Sequence, residues 1–295
     1  MPSAGPEALL DSQPPVRLAL ELGEAVLRDA GIAEARPDAE WLLSEILGVS
    51  RGRLALHGHE VLEPSAAARY VQWLRRRLDR VPLQHIVGTQ AFRDLSLAVS
   101  RRALVPRPET ELLAGWAIEL LAGRRAPLVI DLGTGSGCIA CAVAAEHPGA
   151  RVVAVDVSPD AVQLARDNVA RLGLAGRVTV EESDLFSALT PMHAELVVSN
   201  PPYLPSGVID SLPPEVSRHD PRLALDGGAD GLDVVRRLVD DAPRWLAPGG
   251  WLVLETAGGD QVPDVVARMG AGGFARVETR ADLAGVVRFV AGGTP

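Results

Sequence analysis

The amino-acid sequence predicts an α/β protein in which a small all-helical block precedes a parallel sheet wrapped by helices. Three observations carry that reading. Apolar residues recur near a 3.6-residue period through the first 80 positions, and from about residue 128 short apolar runs alternate with helical patterns. The last two apolar runs stand too close together for a crossover, so they pair antiparallel. At about 150 residues per domain, 295 residues allow roughly two domains.

The elements follow in order. Met1 to about Pro15 is rich in Pro, Ser and Gly and reads as a loose tail. Leu18, Leu22, Ala25, Val26 and Ile32 mark a first helix from Val16. Pro37 suits the first turn of a second helix carrying Trp41, Leu42, Ile46 and Leu47, ended by Gly48. Ser65 is the expected N-cap of a third helix through Tyr70, Val71, Leu74 and Leu78. Residues 1–80 form the helical domain, with Trp41 and Trp73 expected in its core. The Arg75-Arg76-Arg77 run with Arg80 reads as a solvated helix face, the alternative being a docking patch for an acidic partner. Residues 81–104, with Pro82, Gly88 and alternating Leu95, Leu97 and Val99, read as a hairpin linker. The rest, 105–295, holds seven expected strands: Leu128–Leu132, Val152–Asp156, Val178–Glu182, Glu195–Ser199, Trp251–Glu255, Arg276–Thr279 and Val286–Val290. Helices over Ile139–Ala145 and Ala161–Leu172 fall between the first three.

Composition narrows the chemistry. All 29 cations are Arg, which removes lysine Schiff bases and P-loop lysines. Thirty-eight acids leave a net charge of −9, which argues against tight, sequence-independent nucleic-acid binding. Cys138 and Cys141 cannot build a disulfide framework and lie one helical turn apart, a pattern of buried packing rather than zinc or redox chemistry. No basic leader or apolar signal core opens the chain, and the glycines at 133, 135 and 137 break the apolar stretch 126–145 that could imitate a membrane span. A soluble, cytoplasmic protein is expected.

Two motifs carry the function. Asp131-Leu-Gly-Thr-Gly-Ser-Gly137 follows a strand and opens a helix, and its glycines let a ligand approach the backbone. The dinucleotide fingerprint would need a glycine at Cys138, so a nucleoside ligand without a pyrophosphate fits better. Asp156, 19 residues beyond Gly137 at the end of the next strand, can accept both ribose hydroxyls. Asn200-Pro201-Pro202-Tyr203 follows another strand, on the edge where open α/β sheets bind ligands. An Asn side-chain carbonyl and a proline carbonyl can hold both hydrogens of a planar –NH₂, and Tyr203 offers a ring to pack against it.

Together these residues resemble the S-adenosylmethionine-dependent amino-methyltransferases. Val105-Pro-Arg-Pro-Glu-Thr-Glu111, Pro82-Leu-Gln-His-Ile-Val-Gly88 with Phe92, and the segment from Glu215 through Asp220-Pro-Arg-Leu-Ala-Leu-Asp-Gly-Gly-Ala-Asp-Gly-Leu232 narrow the resemblance to the protein-(glutamine-N5) methyltransferases of peptide chain release factors, the PrmC/HemK family. The likeness covers roughly residues 16–290. It implies a Rossmann-like, seven-stranded class I methyltransferase sheet with the last strand antiparallel, and a helical domain that recognises the protein substrate. It implies S-adenosyl-L-methionine held by Gly133, Thr134, Gly135, Ser136, Gly137, Asp156, Asp184, Leu185 and Asn200, and a glutamine held by Asn200, Pro201, Pro202 and Tyr203, with Asn200, Pro201 and Tyr203 as the catalytic group. No metal, membrane or direct nucleic-acid contact is implied, and a monomer is expected. Glu109 and Glu111 either cap the following helix or help close the cofactor site. His85 stands where the family more often has Tyr, Leu185 where some relatives place an aromatic, and Glu255-Thr-Ala-Gly-Gly-Asp-Gln261 matches the family pattern loosely and receives no role. Neither His85 nor His219 has a deduced role. Competing readings are glutamine methylation of a ribosomal protein, adenine methylation of DNA through the same –NH₂ acceptors, and a cofactor-holding scaffold without catalysis.

Overall fold

The computed structural model describes residues 6–7 and 13–295. Residues 1–5 and 8–12 of the expected tail lie outside the described residues. The chain divides into two compact units, Met1–Gly88 and Thr89–Pro295.

The first unit is helical: α1 (Val16–Asp29), α2 (Ala35–Leu47), a 3₁₀ segment (Arg51–His57), α3 (Pro64–Leu78) and α4 (Leu83–Val87). Gly48 ends α2 in the left-handed conformation, at φ 66°, which glycine adopts without strain. The N-cap of α3 is Glu63, not Ser65; Pro64 takes the first helical position, where its missing N–H costs nothing. The core centres on Tyr70 with Leu27, Leu42, Leu43 and Leu74. Tyr70 fits because α1 places Gly23 beside it: a Cβ there would lie 2.1 Å from the phenolic oxygen. Trp41 and Trp73, expected inside, are half-buried at the margin of this core, since a unit so small cannot enclose their bulk. The arginine run is a solvated face only at Arg75, which is exposed and pairs with Glu7 at 2.7 Å. Arg77 forms a buried ion pair with Asp38 (2.7 Å), Arg76 donates to the His85 carbonyl (2.9 Å) and Arg80 to that of Ala30 (2.8 Å). Arginine forks reach carbonyls that helix ends leave without N–H partners.

The segment 81–104 is shared between the units. Its α4 belongs to the first, while the hairpin β1 (Thr89–Phe92) and β2 (Leu95–Ala98) belongs to the second. Phe92 and Leu97 bury into the same core as Leu113 and Trp116 of α5 (Pro108–Leu120).

The sheet of the second unit holds β3 (Leu128–Leu132), β4 (Arg151–Asp156), β5 (Val178–Glu182), β6 (Ala194–Ser199), β7 (Leu246–Glu255), β8 (Arg276–Ala281) and β9 (Val287–Gly293). Their order is β5-β4-β3-β6-β7-β9-β8; β9, the last in the chain, runs opposite to the other six. This is the seven-stranded arrangement expected. α6 (Cys138–Glu146) and α7 (Pro159–Arg171) share one core with α5 and the residues Val129, Val152 and Val198. α9 (Asp233–Asp241) and α10 (Gln261–Ala271), which follow the short α8 (Pro214–Ser217), share the other with Ile130, Val197 and Leu252. Alternate residues of one strand thus serve opposite layers. Both faces of α6 are covered, which accounts for the nearly uncharged stretch 126–145. Cys138 and Cys141 are buried there, and burial pushes both thiols up, that of Cys141 to about 12. Among the described residues no helix is long and apolar enough to cross a membrane.

The chain winds outward from β3 to β5 and then returns to β6 on the other side of β3. At that switch point the crossovers leave on opposite sides and open a crevice beyond the strand ends. The Ser199 hydroxyl donates to the Leu132 carbonyl (2.6 Å), tying the two strands together where the crevice begins.

Candidate active site

The glycine loop leaves β3 with Gly133, Gly135 and Gly137 all at positive φ (67°, 56° and 80°), a path L-residues rarely follow. Buried Asp131 braces it: one carboxylate oxygen accepts from the Thr134 hydroxyl (2.6 Å) and from the Ala140 N–H in α6 (3.1 Å). Burial pushes the Asp131 carboxyl up to about 7. Asp156 aligns the loop from the next strand, accepting from the Gly135 N–H with one oxygen and the Ser158 N–H with the other, both at 2.9 Å. Each oxygen keeps acceptor capacity. Asn168 of α7, which sequence reading passed over, fastens the loop to the hairpin. Its amide donates to the Ser136 and Ala98 carbonyls (2.9 and 3.0 Å) and accepts from the Ala98 N–H (2.7 Å).

A cavity of about 370 Å³ opens over the loop. Gly133, Thr134, Gly135, Ser136, Asp156, Asp184, Leu185, Asn200, Pro201 and Pro202 all border it. Gly137 and Tyr203 do not. Gly137 serves packing, for a Cβ there would come within 3.2 Å of Ala165 in α7. Also on the cavity lining, Asp184 accepts from Arg237 (2.8 Å). Leu185 stands in the left-handed region (φ 52°), its carbonyl held by the Ser183 hydroxyl at 2.8 Å. A non-glycine residue held there stores about 1–2 kcal/mol of strain.

Asn200 leaves the end of β6, and its Nδ2 donates to the Thr110 hydroxyl at 2.9 Å. Among the described residues, neither Asn200 Oδ1 nor the Pro201 carbonyl receives a hydrogen bond. The Tyr203 hydroxyl donates to buried Glu255 at 3.1 Å, so the tyrosine's polar end points away from the cavity. Thr110 donates to the other oxygen of Glu255 (3.0 Å). The segment 226–232 backs the loop at close range. A Cβ on Gly227 would lie 2.7 Å from the Pro202 carbonyl, and one on Gly231 would lie 2.2 Å from that of Tyr203. Gln261 of α10 donates to the same Tyr203 carbonyl (2.9 Å).

The family model of the PrmC N-terminal domain matches residues 19–88, and that of the methyltransferase small domain matches residues 112–210. A release factor glutamine methyltransferase of Geobacter sulfurreducens is 42% identical over 280 residues, covering 94% of this chain and 96% of its own. That of Deinococcus radiodurans is 44% identical over 267 residues, covering 90% and 94%. The chain belongs to the release factor glutamine methyltransferase family. Solved structures add the fold alone: a methyltransferase from Pyrococcus furiosus (TM-score 0.53, 17% identity, 74% of this chain and 98% of that one) and human methyltransferase 10 domain containing protein (TM-score 0.51, 17% identity, 68% and 89%) share it.

Of the two readings left open for Glu109 and Glu111 in this methyltransferase, the structure favours the helical one. Glu109 and Glu111 lie in the first turn of α5, where acids suit the helix dipole, and neither borders the cavity. Thr110 between them does, and so does Arg107, which pairs with buried Asp220 at 2.8 Å. Burial pushes the Asp220 carboxyl up to about 6. That ion pair joins two segments 113 residues apart, both part of the family resemblance. Thr110 and Glu255 are the site residues the sequence did not reveal. The one available signal was an acid closing an apolar strand.

Proposed function

We propose that this methyltransferase moves the methyl group of S-adenosyl-L-methionine to the side-chain amide nitrogen (N5) of a glutamine in class-1 peptide chain release factors, within a GGQ motif. The observation that carries the reading is the pair of unengaged acceptors, Asn200 Oδ1 and the Pro201 carbonyl, on the rim of a glycine-cradled cavity.

The residues present fit the cofactor. A Cβ on Gly133 would meet nothing within 4 Å and one on Gly135 only Ala103 at 3.8 Å, so the space over the loop is open to a ligand. Asp156 would hold the ribose hydroxyls with the acceptor capacity its two backbone N–H partners leave, and Asp184 and Leu185 would border the base. When bound, the cofactor supplies an electrophilic methyl group on a sulfonium. A carboxamide nitrogen is a weak nucleophile because its lone pair is delocalised into the carbonyl. Asn200 Oδ1 and the Pro201 carbonyl orient the –NH₂ and stabilise positive charge developing on nitrogen. No general base is needed before transfer, since the nitrogen loses its proton afterwards.

Asp156→Ala is expected to weaken cofactor affinity about 10–100-fold, the scale of one or two charge-assisted hydrogen bonds. Isothermal titration calorimetry reads this directly, and unchanged affinity removes Asp156 from the site.

The first unit serves recognition of the protein substrate, and the enzyme acts as a monomer in the cytoplasm without contacting nucleic acid. The net charge of −9 supports the last point. Deleting residues 1–88 is expected to leave cofactor affinity intact and to lower sharply the rate on a whole release factor. Normal turnover by the truncated enzyme would refute the recognition role. Incubation with labelled cofactor and separate release factors, ribosomal proteins and DNA, followed by mapping of the labelled residue, tests the substrate. Label on a ribosomal protein or an adenine would overturn the proposal.

A further inference from the structure

Behind the two substrate-facing acceptors lies a buried relay of polar groups. Glu255, at the end of β7, is 1% exposed. Its Oε2 accepts from the Thr110 hydroxyl (3.0 Å) and its Oε1 from the Tyr203 hydroxyl (3.1 Å). A threonine hydroxyl has a single proton. With that proton committed to Glu255, the Thr110 oxygen is left to accept, and the group beside it is the Asn200 amide nitrogen at 2.9 Å. An asparagine amide is nearly symmetric in shape, and turning it over exchanges its oxygen for –NH₂. Turned over, Asn200 would direct hydrogens at a substrate –NH₂, and its oxygen at a hydroxyl with no proton to give.

We infer that Glu255 is a positioning residue, which through Thr110 holds Asn200 with Oδ1 toward the cavity and through the Tyr203 hydroxyl anchors the loop that carries Pro201. This rests on Asn200 being the substrate acceptor. The relay requires the ionised carboxylate, because only that form accepts at both oxygens without donating from either. A protonated Glu255 donates from one of them, which lets the Thr110 proton turn toward Asn200 and invert the amide. The groups facing Glu255 are Thr110 and Glu109 from α5, Tyr203 from the loop and Arg288 from β9. Burial, then Glu109, raise its pKa against the two hydrogen bonds and Arg288, leaving it at about 7. Ionised above that pH and neutral below it, Glu255 makes turnover climb as pH rises through about 7.

Glu255→Gln keeps the shape but accepts at one atom and donates from the other. It is expected to lower kcat about 10–100-fold, the scale of one charge-assisted hydrogen bond withdrawn from the transition state. Cofactor KM and the thermal midpoint stay near those of the unaltered enzyme, and the rise near neutral pH disappears. Thr110→Val produces a similar loss, Thr110→Ser recovers most of the rate, and Thr110→Val with Glu255→Gln is no slower than the worse single variant. A readout free of turnover is carbon-13 and proton–nitrogen-15 NMR of the cofactor-free protein, in which the Glu255 carboxyl titrates at about 7 and the Asn200 amide protons shift with it. Retention of wild-type kcat and pH profile by both Glu255→Gln and Thr110→Val, with Asn200→Ala still impaired, overturns the relay alone. Retention by Asn200→Ala as well overturns the substrate reading beneath it.

Discussion

Asn200→Ala is expected to lower kcat by about 10²–10³, the usual cost of removing one preorganised group that acts on a transition state. Cofactor affinity should change far less, because the glycine loop and Asp156 are held by their own contacts with Asp131, Ser158 and Asn168. Single-turnover kinetics beside calorimetry separates the two effects. Asn200→Asp is the informative companion. It retains an acceptor oxygen and the shape, but it loses Nδ2, which supplies the hydrogen bond to Thr110. Two carboxylates, at 200 and 255, would then compete for one threonine proton, and the new charge beside a sulfonium favours the ground state as much as the transition state. Asn200→Asp should therefore remain slow. Near-normal turnover by Asn200→Ala would make the loop structural and remove the proposed catalytic centre.

Gly135→Val is expected to abolish measurable cofactor binding while the sheet stays folded. Gly135 lies at φ 56°, where a β-branched residue is strongly disfavoured, and its N–H helps align Asp156. Its side-chain direction opens on the cavity, so valine methyls would occupy ligand space. Gly135→Ala separates the causes. It carries the backbone strain of about 1–2 kcal/mol with a single added carbon, and should weaken binding without eliminating it. Circular dichroism with calorimetry checks both, and full affinity in the valine variant would reduce the loop to a turn.

Local pattern made much of this architecture legible. The strand Leu128–Leu132 begins and ends where its mostly apolar run does, because it is covered on both faces of the sheet. The edge strand Val178–Glu182 shows in its alternation, with Val178 and Val180 buried and Thr179 and Glu181 exposed. The glycine loop and Asp156 could be read because their spacing along one βα unit sets their spacing in space. The relay could not. Thr110 and Glu255 meet across 145 residues, and nothing near Glu255 in the chain announces a threonine partner. Arg77 misled for the same reason: a charge in a basic run looks solvated until Asp38, 39 residues earlier, folds against it. Trp41 and Trp73 misled through size, since the residues that close a small helical core are the ones that fit it.

The backing of the Asn-Pro-Pro-Tyr loop has a consequence for inhibitors. Behind Pro202 and Tyr203 stands main chain at Gly227 and Gly231, close enough that even a methyl group finds no room. Side chains can rotate away from an arriving ligand, whereas packed main chain cannot. A compound directed at this face therefore meets a wall of fixed contour and must match it as it stands. The accommodating part of the lining is Leu223 and Arg237, whose exposed side chains can rearrange around a substituent. Selectivity built on the first face would come from shape, and potency gained on the second from adaptation.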